Sequence, residues 1–525
     1  MEPSCVRQDQ IPGTSALFAD YLYQFDKLSS FFPHSSWDAA AVAATAAKIQ
    51  FPAARRAQIV AALAAQNDNS AALDRLAQPD TVVVVTGQQV GFLLGPAYTI
   101  FKALTAVKLA AHLNEQGISA VPVFWLATED HDLAEVDHAW VFNQDAVSAK
   151  IGIANSVVNG GPVGDVILNE IPLAELRAAL GDLPFADEVM KQVAAAYQPG
   201  ATLGSAFRKL LEQTLKGMGL LFLDPLAAPI REAGAPFLSE AAQRVPELLE
   251  ALRLRNAAIA KAGYHTQVHI EDDSSLLFLL KGGRRLPVRW KDGRFVAKDG
   301  SRTAAEMSTM ASQLSPNALL RPVMQDYLLP TAAYVGGPAE IAYFAQGAAL
   351  YEKLLGRMPV IYPRNSFTLL DARAAKLLTR FGLRVPDLLD HHENVKGTIA
   401  ARLVPPGLAD RLRAVQATAA HSLAQLQTDL GTFDSTLEAA ARKGAAKIAY
   451  QFAKLERKAA REILRRDERA TKDADYLVNL VYPQRHLQER FYSILPFLAK
   501  HGPDLPQQLL GQIQLSCADH MLRAF

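Results

Sequence analysis

Two kinds of apolar pattern succeed one another between Thr81 and Ala127. Thr81 to Thr86 reads TVVVVT, an unbroken β-branched run, and Val121 to Ala127 is a second fully apolar run. Between them, from about Tyr98 to Gln116, apolar positions recur at helical spacing. Strands covered by helices on both faces need no polar alternation, so the series predicts a parallel βαβ unit. Further buried strands are predicted at Leu220 to Asp224, Ala332 to Val335 and Val360 to Tyr362. The fold class is therefore α/β, with a Rossmann-like parallel sheet as its core.

The wide gaps between these runs imply insertions, placed near residues 148–175 and 256–315 of a core spanning 79–400. Ser148 to Leu168 carries the hairpin-like NGGPVGD at Asn159 to Asp165. Thr266 to Ala297 alternates and turns at Gly282-Gly283 and Asp292-Gly293, as an antiparallel subdomain does. Ahead of the core, within residues 1–78, alanine-rich periodic segments from Trp37 to about Gln78 predict a helical region packed on the core. After Pro405-Pro406-Gly407 no proline occurs until Pro483. Leu423, Leu426, Leu430, Phe433 and Leu437 mark a heptad seam, which resumes at Ala441, Ala445, Ile448, Phe452 and Leu455 after a stutter. Residues 405–480 are thus expected to form an α-helical coiled coil that finds a partner. Residues 481–525 regain prolines and aromatics and are expected to fold back on the core.

Charge and composition narrow the partners. Lysine plus arginine number 54 against 53 aspartate plus glutamate, so no global field draws the chain to nucleic acid or to an anionic membrane. Small molecules are the expected ligands. The only cysteines are Cys5 and Cys517, too few for a disulfide framework or a Cys-ligated structural zinc site, which fits a reducing cytoplasm. No apolar run reaches the roughly 18 residues that span a bilayer, and no signal-like N-terminus precedes the first helix.

Chemistry concentrates where predicted strands end. TGQQVGFLLGP, Thr86 to Pro96, contains Thr86, Gln88, Gln89, Gly91 and Gly95 and opens the helix bearing Tyr98 and Lys102. Such a loop brings backbone N–H groups and a helix N-terminus to an anionic ligand. It closes with no GK[ST] and lacks G-x-G-x-x-G spacing, and turn geometry alone accounts for the same letters. The second strand empties into TEDHDLAEVDH, Thr128 to His138. In a helix His131, Glu135 and His138 would share one face, a spacing suited to a divalent ion. Acid–base work needs only one of them, and Glu129, Asp130 and Asp132 behind a Thr128 N-cap would equally well complement a helix dipole.

Farther on, RPVMQDYLLPTAAYVGGPAEIAYFAQ, from Arg321 to Gln346, runs a strand into Tyr334, Gly336 and Gly337 before a helix expected to begin with Glu340. A first-turn carboxylate there can also grip an ammonium group. VIYPR ends in Arg364, with Ser366 two residues on, a pairing suited to carboxylate or phosphate unless Arg364 is a solvated surface residue. YPQRHLQERFY, Tyr482 to Tyr492, crowds Arg485, His486, Glu489 and Arg490. Clamping the base of the coiled coil is favoured there over completing a nucleotide pocket.

Taken together, TGQQVGFLLGPAYTIFK, VPVFWLATEDHD and LLRPVMQDYLLPTAAYVGGPAEIAYFAQ resemble the bacillithiol biosynthesis cysteine-adding enzyme family. The likeness continues through VIYPRNSFTLLD, the long helical region and LQERFY, and so covers nearly the whole chain. The resemblance implies a nucleotidylyl-transferase-like core with connecting-peptide insertions and a coiled coil that pairs two subunits. It also implies amide formation between cysteine and glucosaminyl malate, with ATP and Mg2+ activating the cysteine carboxylate. Neither a HIGH tetrapeptide nor a KMSKS loop occurs, so the sequence leaves adenylate and acyl phosphate both open.

On this reading the 86–102 segment cradles phosphate or a substrate anion, and Lys102 or Arg364 offsets developing charge. His131 serves as base, oriented by Glu129 or Asp130. Arg321 and Arg364 select the two malate carboxylates. Two other readings compete: a metal-dependent hydrolase or phosphatase centred on Glu129 to His138, and a non-catalytic coiled-coil dimer whose core only binds a ligand.

Overall fold

A computed structural model describes residues 4–35, 39–153, 160–390 and 395–525. Trp37 and Asn159, with most of the stretch ahead of Gly160, fall outside them. The β-branched run continues further than expected, as β1 (Val82–Gln89). Helix α1 (Tyr98–Glu115) and strand β2 (Ala120–Ala127) complete the βαβ unit. Strands β3 (Leu221–Leu223) and β4 (Thr331–Gly336), helix α2 (Pro338–Leu354) and strand β5 (Val360–Pro363) come next along the chain.

All five strands are parallel, in the order β5-β4-β1-β2-β3. The chain therefore builds outward from β1 to β3, then crosses back to lay β4 on the other side of β1. Between β1 and β4 the winding direction reverses, and open α/β sheets bind ligands at the carboxyl edge beside such a reversal. Val82 to Val85 are all buried, as strands packed on both faces require.

The two insertions differ in how they match expectation. Ser274–Lys281, Arg284–Lys291 and Arg294–Ala297 form an antiparallel meander turning, as expected, at Gly282-Gly283 and Asp292-Gly293. In the first insertion the hairpin lies earlier: His138–Phe142 pairs with Ser148–Gly152, and Val163–Asp165 is a 3-10 turn. A small sheet ties the termini to the core, with Ser4–Val6 antiparallel to His520–Ala524, which lies parallel to Ser366–Leu370.

The heptad region forms two helices, α3 (Pro406–Phe433) and α4 (Ser435–Arg466). The chain reverses between Phe433 and Ser435, ahead of the stutter expected at Leu437 to Ala441. Asp434 is extended and its carboxylate accepts from the backbone N–H groups of Thr436 and Leu437, capping α4. The helices pack side by side, with Glu438 against Gly431. They form an antiparallel hairpin about 40–50 Å long at 1.5 Å per residue, on which Leu426, Phe433, Leu437, Ile448 and Leu455 of the apolar seam remain exposed. Among the described residues no helix is long and apolar enough to cross a membrane.

Candidate functional site

Four strand ends converge on one cavity of about 560 Å³. β1 contributes Gly87, Gln88 and Gln89, β2 leads into Glu129 and Asp130, β4 leads into Gly337, and β5 into Arg364. Gly87 is required where it stands, because a Cβ would sit 2.8 Å from the carbonyl oxygen of Trp125 on the neighbouring strand.

At the cavity floor Lys102 is buried in α1, and its ammonium donates to Glu340 Oε2 at 2.7 Å, to Gln88 Oε1 at 3.3 Å and to the Gly87 carbonyl. Helix α2 begins at Pro338, two residues before the expected start. That shift makes Glu340 the third residue of the helix, where its carboxylate accepts from the Gly337 N–H at 2.8 Å. Tyr334 O–H donates to its other oxygen at 2.5 Å. Burial opposes ionisation of Glu340, yet Lys102 and these donors hold its carboxyl below the ordinary value. Burial pushes the Lys102 ammonium below its ordinary value against the pull of Glu340. Arg321 extends the network, reaching Tyr343 O–H at 3.1 Å and Gln325 at 3.2 Å.

A second set of charges stands across the cavity. Glu129 accepts from Arg231 at 2.6 Å and from Ser315 at 3.1 Å, and burial raises its pKa despite Arg231 and Arg285. Asp130, half-buried, accepts from the His131 N–H and from Gln89 Nε2, each at 2.7 Å, and is held well below the carboxylate range. Arg285 arrives from the antiparallel insertion, 3.8 Å from the Phe278 ring centroid. At the opposite wall Arg364 grips Glu489 with both nitrogens, at 3.0 and 2.6 Å, both side chains buried. Arg364 is thus no solvated surface arginine. Arg490 also lines the cavity and makes no ion pair among the described residues.

The structure gathers Gln88, Gln89, Tyr98, Lys102, Glu129, Asp130, Arg321, Tyr334, Gly337, Glu340 and Arg364 around this space. It leaves others outside. Thr86 Oγ1 donates to the Val335 carbonyl at 2.9 Å and serves the sheet. Ser366 bonds Glu489 and His520 and, with Gly336, faces a neighbouring cleft. Gly91 and Gly95 line a separate adjoining cavity. Asp132 is exposed, and His131 stands at the rim with its Nδ1 3.0 Å from Arg285.

The expected His131–Glu135–His138 helical face does not form. The helix there spans only Leu133–Val136, and His138 begins a strand. Thr128 caps nothing; its hydroxyl meets Asp224 at 2.5 Å. Among the described residues no three His, Cys, Asp or Glu converge as a metal-binding group. The Tyr482 to Tyr492 segment serves both ends: Gln488 donates to the Leu480 carbonyl and Tyr492 O–H to the Asn479 carbonyl, each at 2.8 Å, at the base of the expected coiled-coil region, while Glu489 and Arg490 face the core. Sequence reasoning did not single out Arg285 or Tyr343. Tyr343 carried a usable signal, its position three residues after Glu340 on one helix, whereas nothing in the insertion marked Arg285.

This arrangement can hold anions against Arg321, Arg364 and Arg490, and a cation against Glu129 or Glu340, at one edge of a sheet. Known proteins resemble the chain over nearly its whole length. Residues 1–365 match "Bacillithiol biosynthesis BshC, N-terminal Rossmann-like domain", and residues 367–523 match "Bacillithiol biosynthesis BshC, C-terminal coiled-coil domain". A Solibacter usitatus protein is 50% identical, covering 99% of each chain. A Koribacter versatilis protein is 36% identical over 99% of each, and one from Salinibacter ruber 30% identical over 96% of this chain and 95% of its own. All three carry the name "Putative cysteine ligase BshC".

Proposed function

The chain belongs to the bacillithiol biosynthesis BshC family, and from that premise we propose that it is a ligase joining the cysteine carboxylate to the amine of glucosaminyl malate at the expense of ATP. The observation that carries this reading is the cavity beside the β1–β4 reversal, in which the buried Lys102–Glu340 pair faces Arg321, Arg364 and Arg490. An amide bond needs an activated carboxyl, and the reaction brings a cysteine carboxylate, the phosphates of ATP and the malate carboxylates together, so fixed cations are what the site must supply.

A cysteine carboxylate oxygen attacks a phosphorus of ATP. Attack on the α-phosphorus expels pyrophosphate and leaves a cysteinyl adenylate; attack on the γ-phosphorus expels ADP and leaves an acyl phosphate. The sugar amine then adds to the acyl carbon, AMP or phosphate departs, and the amine gives up a proton. Glu129, lifted by burial and lining the cavity, is better placed to take that proton than His131, whose Nδ1 already faces Arg285. The dicarboxylate of malate suits Arg490 better than the expected Arg321 and Arg364, since Arg364 already holds Glu489 with both terminal nitrogens. Magnesium commonly binds through one or two carboxylates plus phosphate, and Asp130 is the cavity's candidate for that role.

The decisive experiment is mass spectrometry of the protein incubated with glucosaminyl malate, cysteine, ATP and magnesium. Bacillithiol with AMP supports the adenylate route, and bacillithiol with ADP the acyl phosphate. No product from folded protein and sound substrates overturns the ligase reading. The hairpin adds a proposal of its own, that two copies pair through it. Leu426, Leu437, Ile448 and Leu455 leave apolar surface exposed along it. Sedimentation of Ile448→Lys should then show weaker self-association than wild type, and unchanged sedimentation overturns the pairing.

A further inference from the structure

Beside the main cavity lies a second, of about 470 Å³, separated from it by Gln88, Gln89, Tyr98 and Arg490, which line both. Its far wall is aromatic. Trp140 stacks on Phe491 with ring centroids 4.8 Å apart and 27° between planes, and His486 lies nearly parallel to Phe491 at 6.0 Å. Around that platform stand hydrogen-bonding groups of Glu135, His138, Gln484 and Arg490. A Trp140 of this kind, half-buried and backed by another ring, presents a rigid flat surface at little entropic cost.

Space argues that this cavity is used. Drug-sized ligands occupy pockets of roughly 300–1,000 Å³. On the ligase reading a nucleoside triphosphate and an amino acid would together take up much of a cavity of about 560 Å³, and the acceptor needs room that opens onto the same junction. Chemistry argues for what it holds. A purine slot is mostly apolar and needs few polar partners, whereas a hydroxylated ring needs donors and acceptors around its whole edge and an apolar face beneath. The second cavity has that distribution.

Resting on the ligase reading above, we propose that the Trp140 cavity binds the amino-sugar portion of the acceptor, with its ring over Trp140 and its anionic substituent toward Arg490. The amine then points across Gln88 and Tyr98 into the main cavity, where the activated acyl group is made.

The test is steady-state kinetics and calorimetry on full-length Trp140→Ala and Trp140→Phe. Turnover by wild-type protein is measured first; its absence refutes the ligase reading rather than this one. In a competent enzyme, Trp140→Ala is expected to raise KM for glucosaminyl malate by about tenfold or more. KM for cysteine and for ATP stays put, and Trp140→Phe, which keeps a platform, recovers most of the loss. An unchanged KM for the sugar overturns the proposal. So does a rise confined to ATP, which would make the platform a base-stacking site. Should Trp140→Ala not fold, Glu135→Gln and glucosamine titrated into wild type decide instead. Weaker sugar binding in the variant, with Trp140 fluorescence quenched by glucosamine in wild type, supports the assignment; neither change overturns it.

Discussion

The cavity and the helical hairpin use charge in opposite ways. Around the cavity, Lys102 faces Glu340 and Arg364 faces Glu489 with side chains almost wholly removed from water. On the hairpin, Arg465 and Arg466 share Glu462, and Arg413 meets Asp410, all in solvent. A buried pair is costly to break because the remaining charge has no water to solvate it, whereas an exposed pair contributes almost nothing. Charge is therefore retained in the core for what it does there, and on the hairpin for solubility.

The largest effect should come from breaking the cavity pair. Lys102→Ala leaves the Glu340 carboxylate uncompensated and is expected to cost about 3–5 kcal/mol of folding stability, read from denaturant unfolding. The double variant Lys102→Met/Glu340→Gln, which removes both charges and keeps the volume, should cost less. Equal losses from the two variants would mean that packing rather than charge holds this corner.

Acid should weaken the core next. His520 is fully buried between the hydroxyls of Ser366 and Thr368, at 2.6 and 2.7 Å, and burial depresses its pKa to about 4 from 6.5. Burial depresses His501 to about 4 as well. The folded state resists a proton that the unfolded chain accepts, so stability is intact above pH 6.5 and falls as pH drops toward 4. For His520 the slope is about 1.4 kcal/mol per pH unit. His520→Asn should flatten the profile in that window; an unchanged slope would show that the ring is not the titrating group.

Arg490 separates binding from folding. Unlike Arg364 it holds no carboxylate among the described residues, so Arg490→Ala should leave the unfolding midpoint in place while raising KM for an anionic substrate about tenfold with kcat unchanged. A fall in kcat at constant KM would move Arg490 from ground-state binding to transition-state stabilisation.

The same contrast explains what could be read from the amino-acid order. Buried parallel strands announce themselves, because TVVVVT admits no other period, and the strand ends then locate the cavity through Gln88, Lys102, Glu129 and Arg364. Lys102 and Glu340 are 238 residues apart, and no local pattern tells that they face each other. Local periodicity misled where tertiary contacts override it: TEDHDLAEVDH has helical spacing, but strand pairing of His138 with Gly152 ends the helix after one turn. On the hairpin the apolar repeat was legible and its fold was not, since the repeat runs on from Phe433 to Leu437 and only Asp434 between them marks the reversal. Arg285 stayed hidden because its neighbours in sequence serve a surface meander.

The smallest effect belongs to the hairpin's own ion pairs. Glu462 binds Arg465 at 2.6 Å and Arg466 at 2.7 Å, which lowers its pKa to about 2, yet the group is fully exposed. Solvent and salt screen it, and holding three long side chains in one geometry costs the entropy that the contact returns. Glu462→Gln should therefore leave the unfolding midpoint unmoved at every salt concentration. A midpoint that falls at low salt and recovers at high salt would show that α4 unfolds together with the core, and that its charges contribute to a stability otherwise confined to the cavity side of the molecule.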